Sequence, residues 1–229
     1  MAMKNYFSLL LVLFCFFSQG QINYPFDYAL LYKNSSELNE SLYFINSKDN
    51  SCVMHAQKNK DSLQTNINFI DFKGLTVNAM VVKAFFFQAE TFNNDCSSVH
   101  KFSMDLYKKK AKEFEIIKHN DTLINDTLYL HYATKSLKKL GYQKRKKLRT
   151  VHFIIDKNSN NFMPFIYNPT FYMHWKNTLA LPNGLLKIIY YQNLDGTIAF
   201  KSELIKTIKV DKYLRIPQDC EAVKSLKLF

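Results

Sequence analysis

The segment "NFMPFIYNPTFYMHW" (161–175) sets Phe162, Phe165, Tyr167, Phe171, Tyr172 and Trp175 among two prolines and two methionines. Aromatic rings on a segment bent by proline can form the lip of an apolar or carbohydrate site, because each ring offers a large apolar face. Phe165, Tyr167, Phe171, Tyr172 and Trp175 are therefore candidate ligand-binding residues. The same rings, Trp175 foremost, would equally cap the core of a sheet.

The stretch "KSLKKLGYQKRKKLR" (135–149) holds eight Lys or Arg and no acid in fifteen residues. Clustered cations suit anionic polymers or lipid headgroups, with a strong dependence on salt. Lys144, Arg145, Lys146, Lys147 and Arg149 are the candidate anion-binding residues, with Lys108, Lys109, Lys110 and Lys112 as helpers. Leu137, Leu140, Tyr142 and Leu148 are spaced through these charges, and the stretch runs straight into "TVHFIID" (150–156). That layout favours a polar connection and the solvated start of a strand, where lysines guard against edge-to-edge pairing.

Catalytic patterns are missing. The six histidines (His55, His100, His119, His131, His152 and His174) show no metal-ligand spacing. His55, His131 and His152 fall within strand patterns and read as hydrogen-bonded structural residues. No nucleophile elbow, SxxK, Walker or Rossmann pattern occurs, and five glycines leave little for a phosphate-cradling loop. No enzyme, cofactor or metal is expected. A hydrolase with a site dispersed along the chain is the remaining alternative.

The N-terminus sets the compartment. Met1 to Tyr6 carries Lys4, Phe7 to Phe17 is uncharged and apolar, and Ser18 and Gly20 are the small residues before a cut at Gln21. This is the layout of a secretory signal peptide, and the run is too short to span a bilayer. Residues 1–20 are read as the signal and 21–229 as one β-rich domain, periplasmic or secreted and not an integral membrane protein. Cys15 follows Phe14 rather than a small residue, so lipidation there is not expected. The net charge of +12 falls to +11 without Lys4. Such a balance suits anionic surfaces, while export argues against any specific nucleic-acid partner. Cys52, Cys96 and Cys220 remain after the cut, enough for one disulfide, with Cys52–Cys96 and Cys96–Cys220 both open.

Short apolar alternations separated by polar turns must position these residues. Strands are expected at 41–46, 51–57, 63–72, 76–82, 114–119, 127–132, 151–156, 185–192 and 197–210, and "FMPFIY" (162–167) continues the pattern. Asp195-Gly196 marks a hairpin between the last two. Helices are expected within 98–114 and 219–229. "KAFFFQA", "FIID" and "KIIYYQ" are apolar on both faces, as a sheet covered by a helix or curled round a cavity requires. The expected fold is mostly β, a single antiparallel curved sheet or half-barrel with one or two short helices. The alternative is a two-sheet β-sandwich.

"HWKNTLALPNGLLKIIYY" (174–191) resembles the stretch that names the GLPGLI family of proteins exported from Bacteroidetes cells. It departs at Ala180, where the motif has Gly, and at Asn183, inserted after Leu181-Pro182. That resemblance implies a secreted β-rich protein and no catalytic residues. More broadly, the alternation and the terminal hairpin resemble lipoprotein-carrier half-barrels of the LolA type. The residues thus point to an exported, non-enzymatic protein that binds a hydrophobic or amphipathic small molecule in the concavity of its sheet. Docking on an anionic surface through 135–149 is the alternative.

Overall fold

The computed structural model describes residues 20–35, 40–57, 63–218 and 220. Among these, thirteen strands join in one sheet: β1 (Gln21–Asn34), β2 (Glu40–Asn46), β3 (Asp49–Gln57), β4 (Gln64–Asp71), β5 (Leu75–Val82), β6 (Thr91–Asn93), β7 (Val99–Lys101), β8 (Phe114–Lys118), β9 (Thr122–Ile124), β10 (Thr127–Ser136), β11 (Thr150–Asp156), β12 (Leu185–Gln192) and β13 (Ile198–Pro217). The order is β7-β5-β4-β3-β2-β1-β13-β12-β11-β10-β8, with β9 on β10 and β6 on β13. The described pairings are antiparallel except β6 with β13. One open, curved sheet results, a half-barrel and not a two-sheet sandwich.

Four short helices punctuate it: α1 (Lys83–Gln88), α2 (Asp105–Ala111), α3 (Leu140–Lys146) and α4 (Pro169–Thr178). Two expectations fail here. "KAFFFQ" is α1 rather than a strand, and "FMPFIY" is irregular chain. The helix expected within 98–114 starts only at Asp105, because Val99–Lys101 pairs with β5. The helix expected at 219–229 lies outside the described residues.

Apolar residues on both faces of the strands reflect burial on both sides. On β3, Val53 joins one apolar cluster while Cys52, Met54 and Ala56 join another on the opposite face. The Val53 face is covered by the chain from Phe162 to Leu181, including α4, together with α2. Backbone geometry requires the cover to be tied down, since buried irregular chain must satisfy its own polar groups. Met163 N donates to Ser47 O at 2.9 Å, Asn50 Nδ2 to Pro164 O at 3.0 Å, and Gly184 N to Phe162 O at 2.9 Å. Gly184 sits at φ +143°, where a Cβ would lie 2.7 Å from Ile155 Cγ2. Asn168 then caps α4 by accepting from Thr170 N at 2.8 Å, with Pro169 in the first turn.

The Met54 face takes Phe86 from α1 into its cluster. Lys212 is buried beneath that helix. Its Nζ donates to Phe86 O at 2.7 Å and to Ala89 O, and lies 4.6 Å from the Phe86 ring. Cations belong at helix C-termini, where carbonyls are left unpaired. Beyond β13, Cys220 is bonded to Cys96 in the turn between β6 and β7. The Cys52–Cys96 alternative is thereby excluded: Cys52 is a free, buried thiol on β3.

Candidate functional site

Between the sheet and its cover lies a cavity of about 280 Å³. Five adjacent strands, β11-β12-β13-β1-β2, supply its floor through Phe153, Leu186, Ile189, Tyr191, Phe200, Ser202, Tyr32 and Tyr43. Phe165, Ile166, Tyr167, Asn168 and Phe171 form its roof. Three candidate ligand-binding residues, Phe165, Tyr167 and Phe171, thus meet in one chamber. Tyr172 and Trp175 do not line it. Tyr172 stacks on Phe72 at 4.1 Å, and the Trp175 indole N–H donates to Leu181 O at 3.1 Å inside the cover.

Among the described residues no charged side chain lines the chamber. Its polar atoms belong mostly to tyrosines. Burial pushes Tyr43 up to about 12 and raises Tyr167 and Tyr191, so all three are neutral donors at neutral pH. Tyr32 OH already donates to Leu186 O at 2.7 Å. Such walls bind apolar matter and orient it weakly. The Ser202 hydroxyl among them is already engaged, donating to Asn34 Oδ1 at 2.7 Å.

His55 stacks on Tyr43 at 4.7 Å, and its Nε2 has no hydrogen-bond partner among the described residues. Burial lowers its pKa from 6.5 to about 4. The fold therefore favours the neutral ring, and the unfolded chain takes up the proton first. This contribution is intact above about pH 6.5 and falls as pH drops from there toward 4, by about 3 kcal/mol in all. His55→Phe should remove most of that fall. Urea unfolding at pH 7 and pH 4.5 measures it, and an equal loss in both proteins would refute the assignment.

The basic stretch separates into parts. Lys135 and Ser136 end β10, α3 follows, and Lys147 closes the helix in the left-handed region at φ 48°. So it is a connection leading into β11, as its spacing suggests, but with a helical turn the spacing did not announce. Lys146 and Arg149 line a second cavity of about 490 Å³, together with Lys110 and Lys138; Lys144, Arg145 and Lys147 do not.

A histidine ladder also appears. His131 Nε2 and His152 Nδ1 are 2.9 Å apart, His119 stacks on His131 at 4.9 Å, and Tyr190 stacks on His152 at 4.3 Å. Burial, then the neighbouring rings, lowers His131; burial also lowers His152. Register brings them together, with Ala133 opposite His152 and Leu130 opposite Ile155. Sequence spacing carries no trace of that pairing. Among the described residues no three His, Cys, Asp or Glu side chains could hold a metal ion, and no described histidine hydrogen bond reaches a carboxylate.

No family model matches the chain, and no curated protein is similar to it in sequence. Among solved structures, a chain of the Pseudomonas aeruginosa MucA/MucB complex is similar at 9% identity over 82% of this chain and 52% of that one, with a TM-score of 0.40. This chain thus spans about half the length of that match. An uncharacterized conserved protein of Thermus thermophilus is 8% identical over 87% of this chain and 90% of its own, at a TM-score of 0.44. A LolA superfamily protein of Nitrosomonas europaea is 8% identical over 85% and 87%, at 0.28. Nothing among the three bears on the GLPGLI resemblance.

Proposed function

We propose that this protein is an exported, non-enzymatic binding protein that holds a hydrophobic or amphipathic molecule in the chamber between its sheet and the cover at 162–181. The observation that carries the reading is an aromatic-lined cavity without a charged side chain, built where five strands meet Phe165, Tyr167 and Phe171. Apolar pockets with a few polar groups are the usual form of a small-molecule site. Export is supported by the signal-like layout of residues 1–20. No helix among the described residues is long and apolar enough to cross a membrane.

The neutral dye N-phenyl-1-naphthylamine tests this. The protein should bind it saturably, with fluorescence enhancement. Ile189→Trp, which places a larger ring in the chamber, should weaken binding at least tenfold. Ile198→Trp, at an exposed position on β13, should leave it unchanged. Equal binding by both variants would overturn the chamber as the site.

A further inference from the structure

Phe171 stands on the wall of both cavities. It lies in the first turn of α4, edge-on to Phe153 at 5.6 Å and to Phe114 at 5.4 Å. Phe153 belongs to the inner chamber and Phe114 to the outer cavity. The ring is a partition between two spaces of opposite character.

Inside, no described side chain carries a charge. Outside, Lys110, Lys138, Lys146 and Arg149 surround the space against one acid, Glu113. Glu113 is already paired with Lys138 at 3.3 Å. Lys110 and Lys146 have no acidic partner among the described residues, and Arg149 gives one N–H to Asn193 Oδ1 at 3.2 Å, leaving its other donors to point elsewhere. The outer floor is still apolar, made by Phe114, Phe171, Leu148 and Val151. A ligand filling both spaces would present a tail inward and an anion outward.

Size narrows the class. Small-molecule pockets run to roughly 300–1,000 Å³, and the inner chamber, at about 280 Å³, falls just below that range. It accommodates the end of one chain rather than several.

We propose that the two cavities form one bipartite site for a single-chain anionic amphiphile. Its alkyl tail lies in the chamber, its carboxylate or phosphate among Lys110, Lys146 and Arg149, and Phe171 is the ring that swings to join the spaces. The proposal rests on the chamber being a ligand site and adds the headgroup that site selects.

Displacement of bound N-phenyl-1-naphthylamine by dodecanoate, dodecyl phosphate and 1-dodecanol, each below its aggregation limit, tests it. One or both anions should displace the dye at concentrations at least tenfold below dodecanol at low salt. Lys146→Gln with Arg149→Gln should abolish that advantage without altering displacement by dodecanol. A lead for dodecanoate identifies a fatty-acid carboxylate, and a lead for dodecyl phosphate a phosphorylated lipid. Equal displacement by all three, or a double variant that weakens dodecanol as much as the anions, overturns the headgroup site and leaves the chamber standing. Absence of saturable dye binding overturns both.

Discussion

Cys96→Ser combined with Cys220→Ser should lower stability by about 4–5 kcal/mol, on the loop-entropy estimate for a bond that closes 124 residues. A domain of this kind has roughly 5–15 kcal/mol in all, so the double variant should sit near its unfolding threshold at 37 °C. The bond fastens the chain just beyond β13 to the turn that follows β6, and those two strands pair at Tyr213–Arg215 with Thr91–Asn93. Loss of the bond should therefore free α1 and β6 first. Urea unfolding with and without reductant measures the drop. Cys52 provides a second readout, since burial pushes its thiol up to about 12 and it resists alkylation in the fold. In the chain from Gln21 onward, one thiol per molecule should react after denaturation without reductant, at Cys52. Labelling of Cys220 instead would mean that Cys52 and Cys96 are bonded.

Trp175→Ala should destabilise by about 3–5 kcal/mol, the usual cost of removing a buried large aromatic. The indole is packed in the core shared by sheet and cover, beside Tyr172 at 6.0 Å, and is hydrogen-bonded to Leu181 O. Trp175→Phe keeps most of that packing and loses the hydrogen bond, so about 1–2 kcal/mol is expected. Neither value should depend on a ligand. Because Trp175 is outside the chamber, the Phe variant should bind N-phenyl-1-naphthylamine as the parent does. Weaker binding by a well-folded Phe variant would return Trp175 to the ligand site. Circular dichroism is the appropriate probe, because the chain's one tryptophan is the residue removed.

The strand pattern was readable because each alternation is local. β2, β3, β5, β11 and β12 lie within a residue or two of their apolar runs. α2 falls inside the helix expected within 98–114, whereas the other three were hidden. α3 and α4 stop on Lys147 and Leu179 in the left-handed region, positions where a reader looks for Gly or Asn. In α1 the run "KAFFFQ" has no side-chain cap and no acidic first turn, so three phenylalanines look like a strand. The roof of the chamber was legible in its rings, Phe165, Tyr167 and Phe171, though not in its backbone, since "FMPFIY" continues the strand pattern yet is irregular chain. Its floor was not. Tyr32, Tyr43, Tyr191 and Phe200 come from four strands whose adjacency depends on long-range register. Tyr172 and Trp175 show the limit of composition as a guide: on α4 they follow Phe171 by one and four residues, yet Tyr172 stacks on Phe72 and Trp175 bonds to Leu181 O, outside the chamber.

β1 and β13, nearly the whole chain apart, lie side by side in the middle of the sheet, from Gln21 opposite Pro217 to Asn34 opposite Ser202. Neither half of the sheet can be joined to the other until the last strand exists. Pairings of such sequence separation form slowly, because a long loop must close before they contribute. The native core therefore cannot close before β13 has been synthesised. On the proposed export route, that order of events would keep the chain unfolded during threading, with β13 acting as the timer.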